Sequence, residues 1–121
     1  AIETEEEYMD MQDELMDRFG DIPHSVENLL KIAAIRALAH RAYVTEVVIN
    51  RQEVRLTMYQ KARLRVEKIP DLVRSYKGDL KLVPGDVPSF HYIDRRNKNQ
   101  DSLEMMGKAE EILKDIYGIR I

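Results

Sequence analysis

The string Glu14-Leu15-Met16-Asp17-Arg18-Phe19-Gly20-Asp21-Ile22-Pro23 ends one helical pattern and starts another almost at once. A glycine after Phe19 can take the left-handed conformation that closes a helix. A proline shortly beyond it suits a first helical turn, where its missing N–H is no loss. Two helices must therefore meet at a tight corner, with Phe19, Gly20 and Pro23 as its structural residues. In the helix that follows, Val26, Leu29, Leu30, Ala33 and Ala37 make one apolar stripe, and Ile32, Ile35, Ala39 and Ala42 lie on the other side. A helix apolar on two faces is expected to be buried between two layers. Its alanines favour helix and let neighbours approach closely, so this helix is the expected centre of the fold.

The rest of the chain reads as elements packed onto that helix. Thr4-Glu5-Glu6-Glu7 has the form of a capping box and opens a first helix running to about Phe19. Its apolar positions Tyr8, Met11, Leu15 and Phe19 recur at helical spacing, while Glu14, Asp17 and Arg18 form one contiguous charged patch. Beyond the central helix, Thr45 to Asn50 and Glu53 to Tyr59 alternate as strands joined at Asn50-Arg51-Gln52. A charged connector follows, anchored by Leu64 and Val66. A short helix opens at Ile69-Pro70-Asp71, places Ile69, Leu72, Val73 and Tyr76 on one side, and closes at Lys77-Gly78. Leu80 to Val83 and Ser89 to Ile93 flank the turn Pro84-Gly85-Asp86 as a second hairpin of the same sheet. Asp101 with Glu104 caps a last helix that buries Leu103, Met106, Ala109, Leu113, Ile116 and Tyr117 and ends at Gly118. The order α-α-β-β-α-β-β-α predicts a single α+β domain, with an antiparallel or mixed sheet of about four strands packed with helices.

Composition narrows the chemistry. A chain of 121 residues is long enough to bury a core without metals or disulfides. It contains no cysteine, which excludes thiolate catalysis and Cys-based zinc sites and suits a reducing cytoplasm. No apolar run approaches the roughly 20 residues of a membrane span. The absence of an initiating methionine suggests a piece of a longer protein. The net charge of −3 conceals a dipole: residues 1–21 carry nine acidic and one basic residue, whereas 51–77 carry eight basic and three acidic. Such asymmetry can steer partners.

Catalysis has no foothold in the motifs. His24, His40 and His91 are far apart, with no HExxH spacing, and neither a phosphate-binding glycine loop nor a nucleophile elbow occurs. Nothing apolar surrounds the carboxylates of the first helix to raise a pKa. The basic middle, with Arg51, Arg55, Lys61, Arg63 and Arg65 at its head, is the alternative candidate site, as an accessory contact to a nucleic-acid backbone. The acidic balance of the whole chain and the absence of an aromatic ladder weigh against it.

The ELMDRFGDIP string, followed by Glu27-Asn28-Leu29-Leu30 and Ile32-Ala33-x-Ile35-Arg36, resembles the C-terminal domain of the bacterial transcription-repair coupling factor (Mfd) family. Motif-level similarity covers the first third of the chain, and the later order of elements fits throughout. The resemblance implies a parent protein that is an ATP-driven DNA translocase of the helicase type. Such a parent displaces stalled RNA polymerase from damaged DNA and recruits nucleotide-excision repair through UvrA. It further implies that this domain is not an enzyme and binds no cofactor, ATP and Mg belonging to the parent's motor domains. Its implied role is regulatory: it packs on the parent's UvrA-binding module, masks UvrA recruitment and restrains the motor. Family members make that contact with charged residues of the matching helix, which correspond to Glu14, Asp17 and Arg18. UvrA, RNA polymerase and DNA are then indirect partners, no membrane is involved, and the expected location is the cytoplasm. No family role attaches to residues 51–77.

Overall fold

The computed structural model describes residues 6, 7, 9, 10, 24–95 and 102–121. Residues 6, 7, 9 and 10 are helical, as the capping box predicts; the rest of the expected first helix, the Phe19-Gly20-Pro23 corner and the Asp101 cap lie outside the described residues. The order that follows is helix α1 (His24–Arg41), strands β1 (Val44–Ile49) and β2 (Glu53–Met58) and a 3-10 turn (Val66–Lys68). Then come helix α2 (Ile69–Arg74), strands β3 (Leu80–Val83) and β4 (Ser89–Ile93), and helix α3 (Ser102–Gly118). The architecture is α+β, and every strand pairing is antiparallel. His24 is the first residue of α1.

The two hairpins join through β2 and β4, giving the strand order β1-β2-β4-β3. Alternation then carries a continuous apolar row from strand to strand. Val47, Leu56, Phe90 and Leu82 stand opposite one another in register, and Ile49, Val54, Tyr92 and Leu80 form the next row. Because successive side chains of a strand point to opposite faces, the other face carries Val48, Arg55, His91 and Lys81 in one row. The first hairpin is set by Asn50, whose side-chain oxygen accepts from the backbone N–H groups of Gln52 (3.1 Å) and Glu53 (2.8 Å). That is an asparagine mimicking a backbone turn.

The helices distribute differently from the sequence expectation. α1 packs against β1 and α3; its buried residues are Leu30, Ala34, Ile35 and Ala39, and Ala42 just past its end is buried as well. These fall within one half of the helical wheel. Leu29, on the far side, is 65% exposed, and Ile32 is 37% exposed. The expected burial of α1 between two layers is therefore corrected. Its apolar residues are spread around the axis, so the pattern alone does not reveal which half meets the sheet. The most deeply buried helix is α3, where Met105, Ala109, Ile112, Leu113 and Ile116 retain no exposed surface. Leu103 and Tyr117, expected inside, are exposed, and Met105 and Ile112 take their place.

The connector after β2 is held by Leu64, which packs on the core and bridges to Arg120; Val66, the other expected anchor, is exposed. α2 buries Leu72, and Tyr76 just beyond it is also buried. Tyr76 meets Tyr92 edge-on at 6.0 Å between ring centres. The chain leaves through Lys77 and Gly78, both with positive φ (56° and 91°). This left-handed pair costs little at the glycine and reverses the chain toward β3.

Candidate functional site

Of the residues singled out in the sequence, Glu14, Asp17, Arg18, Phe19, Gly20 and Pro23 lie outside the described residues. The helix they lead into is described, and its exposed side offers Leu29 and Ile32. The basic middle does not form one patch. Arg51 sits in the β1–β2 turn, and Arg55, on the face of the sheet that carries Val48, His91 and Lys81, reaches Glu53 at 3.1 Å. Lys61, Arg63 and Arg65 lie past the opposite end of β2, separated from Arg51 by the length of that strand, about 20 Å. They belong instead to the corner where the chain ends: Arg65 N–H donates to Ile119 (2.7 Å), and Ile121 N–H donates to Arg63 (2.9 Å).

That corner gathers residues from three distant parts of the sequence. α1 ends at Arg41, Tyr43 turns the chain into β1, and Arg120 stands one residue before the last. The Arg120 guanidinium donates to the Arg41 carbonyl (2.6 Å) and to the Tyr43 hydroxyl (3.3 Å). It thereby satisfies a carbonyl that the end of α1 leaves without an intrahelical partner, and its positive charge suits the negative end of the helix. It lies 4.6 Å from the centre of the Tyr43 ring and 5.5 Å from that of Tyr117. Arg41 stacks on Tyr117 as well, at 5.1 Å, and donates to its hydroxyl at 3.1 Å. This hydrogen bond and the charge of Arg41 hold the Tyr117 hydroxyl below the ordinary tyrosine pKa.

Tyr43 has a φ of 62°. The left-handed conformation is usual just past a helix end, but glycine or asparagine normally supplies it. For a residue with a full side chain it costs about 1–2 kcal/mol, so the contacts of the ring with Arg120 must hold it there. Beside this stack lies a cavity of about 390 Å³ lined by His40, Arg41, Tyr43, Val44, Thr45, Tyr59 and Arg120. No sequence motif marks the cluster: Arg41 and Tyr117 are 76 residues apart and Arg120 and Tyr43 are 77 apart, so only the fold brings them together.

A second concavity, of about 530 Å³, separates α2 from α3. At its wall the Tyr76 hydroxyl donates to Asp115 at 2.5 Å. Burial, followed by the bond to the Asp115 carboxylate, pushes the Tyr76 hydroxyl well above its ordinary pKa. The contact ties α2 to α3. Among the described residues no cluster of His, Asp and Glu could hold a metal ion, and no helix is long and apolar enough to cross a membrane.

Comparison with known proteins places this architecture. A family model described as the TRCF domain matches residues 1–69, which contain the ELMDRFGDIP string, α1 and the first hairpin. The chain belongs to the TRCF domain family. The transcription-repair-coupling factor of Staphylococcus haemolyticus (strain JCSC1435) is 39% identical over 61 residues, which are 50% of this chain and 5% of that protein. The factor of Bacillus subtilis (strain 168) is 33% identical over 67 residues, 55% of this chain and 6% of that protein. A crystal structure of the C-terminal domain of transcription-repair coupling factor superposes with a TM-score of 0.64. It covers 97% of this chain and 74% of that one at 21% identity, so the TRCF domain fold extends well beyond the sequence match.

Proposed function

We propose that this TRCF domain is a non-catalytic regulatory element of a transcription-repair coupling factor. It packs on the parent's UvrA-binding module, masks UvrA recruitment and restrains the ATP-driven translocase during transcription-coupled repair. The observation that carries the reading is the family match over residues 1–69, because that stretch holds both the charged string and the helix it leads into. Glu14, Asp17 and Arg18 form the contact. Two acidic groups and one basic group close together in the sequence make a polar contact whose modest strength permits release. The exposed Leu29 and Ile32 on α1 add an apolar element close to that string in sequence, in keeping with interfaces that combine a small apolar centre with a charged rim. A contact of a few kcal/mol keeps the released state minor while leaving a partner able to shift the population.

Calorimetric titration of the chain with the separately expressed UvrA-binding module tests the reading, with duplex DNA as the rival ligand. Binding to the module should weaken when Asp17→Arg and Arg18→Asp are combined, with the unfolding midpoint nearly unchanged, because surface substitutions usually cost under about 0.5 kcal/mol. Undiminished binding by the double variant would show that the contact lies elsewhere. Steeply salt-dependent affinity for DNA, without affinity for the module, would replace the regulatory role by the nucleic-acid one.

A further inference from the structure

We propose that the outer edge of β1 pairs with the same strand of a second copy of this chain, antiparallel about Val48, so that two four-stranded sheets join into one. This pairing is independent of the regulatory reading above. Its basis is the hydrogen-bond phase of the sheet. β1 is an end strand in the order β1-β2-β4-β3. The Asn50 N–H donates to the Glu53 carbonyl at 2.9 Å, and in an antiparallel ladder the bonded pairs recur at every second residue. Val48, opposite Arg55, and Glu46, opposite Thr57, therefore turn their backbone groups to β2, whereas Val47 and Ile49 turn theirs outward. An end strand that presents such groups is a template for a further strand. The stretch is reachable from solvent: Val48 is 38% exposed, and Thr45, Glu46 and Asn50 are exposed as well.

The residues of β1 select both the edge and the partner. Every residue from Val44 to Ile49 except Glu46 is β-branched, the class that favours strands. The other end strand, β3, is blunted by being only four residues long and by Lys81. Bonded pairs across the new edge must join the outward-turned Val47 and Ile49. Val47 against Ile49 of the second copy sets apolar against apolar on one face and Val48 against its own copy on the other. Glu46 then meets Asn50, whose amide can donate to a carboxylate. Val47 against itself would instead oppose Glu46 to Val48, a charge to an apolar side chain. Ile49 against itself would oppose Val47 to Arg51, where the strand has already ended in the turn. The register shift between Val44 and Glu46 confines the pairing to the residues beyond it. So short a pair of strands buries far less than the roughly 1,600 Å² of a standard stable interface, which makes the association weak and reversible.

Sedimentation equilibrium of the whole 121-residue chain, from micromolar to millimolar concentration, should show its mass rising toward that of a dimer. Val48→Lys sets two cations face to face and should abolish the rise, with circular dichroism confirming that the fold is kept. The chain has no cysteine, so single-cysteine variants report the geometry directly. In the proposed register the two Val48 positions form a non-bonded pair with Cα atoms about 4.5 Å apart, within the range of a disulfide. Val48→Cys should therefore crosslink under mild oxidation several-fold faster than Val83→Cys, which replaces a similarly exposed residue of β3. Should Val48→Lys disturb the fold, the comparison of the two cysteine variants carries the test alone. A monomeric mass at every concentration would overturn the pairing and leave the edge to a strand of a different protein. A dimer that survives Val48→Lys, or equal crosslinking by the two cysteine variants, would overturn it as well.

Discussion

Replacing Ile112 with alanine should cost about 3 kcal/mol, whereas the same truncation in kind at Leu29 should cost about 0.5 kcal/mol. Each change removes three side-chain carbons from a helix, so the chemistry is matched and only the surroundings differ. Ile112 has no exposed surface. Three buried carbons at about 0.8 kcal/mol each contribute ~2.4 kcal/mol, and the unfilled space adds about 1 kcal/mol. The better helix propensity of alanine returns about 0.4 kcal/mol. Leu29 is 65% exposed, so only about a third of the transfer term applies and no cavity is left. Urea unfolding followed by circular dichroism gives both values, with an unchanged slope showing that the unfolded state is not altered. In melting temperature the two variants should fall by roughly 12 and 2 °C. Equal losses would refute the view that α3, and not the outer side of α1, lies at the centre of the core.

Three further outcomes follow from the geometry. Tyr43→Ala and Tyr43→Gly both lose the stack on Arg120, but only glycine escapes the cost of φ 62°; the glycine variant should be more stable by about 1 kcal/mol in chemical unfolding. Asn50→Ala removes the acceptor for two backbone N–H groups in the first hairpin; a loss of about 1 kcal/mol is expected, and no loss would show that water replaces the side chain without cost. Tyr76 keeps its proton in the folded chain above the pH at which a free tyrosine loses it. Its contribution is therefore fully present below about pH 10 and is lost as pH rises further, because the unfolded chain sheds a proton that the folded chain retains. Tyr76→Phe should flatten the fall in stability above pH 10, and an unchanged alkaline profile would contradict the assignment.

The strands were legible because alternation is a local property. Val54, Leu56 and Met58 alternate with Glu53, Arg55 and Thr57, and the structure buries those three residues. The short helix was equally plain, because Pro70 and the Lys77-Gly78 exit mark its two ends. Helix faces were harder. On α1 apolar residues surround the axis, so the buried half is chosen by whatever packs there; on α3 the expected Tyr117 lies one residue past Ile116 and the expected Leu103 two residues before Met105, which turns both off the true stripe of Met105, Ile112 and Ile116. The ELMDRFGDIP string pointed to the family from sequence alone, and the match over residues 1–69 agrees.

The sequence by itself determined the succession of elements, the antiparallel hairpins and the family, since each is written in residues that are neighbours along the chain. Only the tertiary structure decided the strand order β1-β2-β4-β3, the central place of α3 and the Arg41–Tyr43–Tyr117–Arg120 corner. The physical reason is range. Turn chemistry and periodicity act over a few residues, whereas pairing β2 with β4 and stacking Arg120 on Tyr43 join groups far apart in sequence, whose contact energy exists only once the core has closed around Phe90, Leu56 and Ile112.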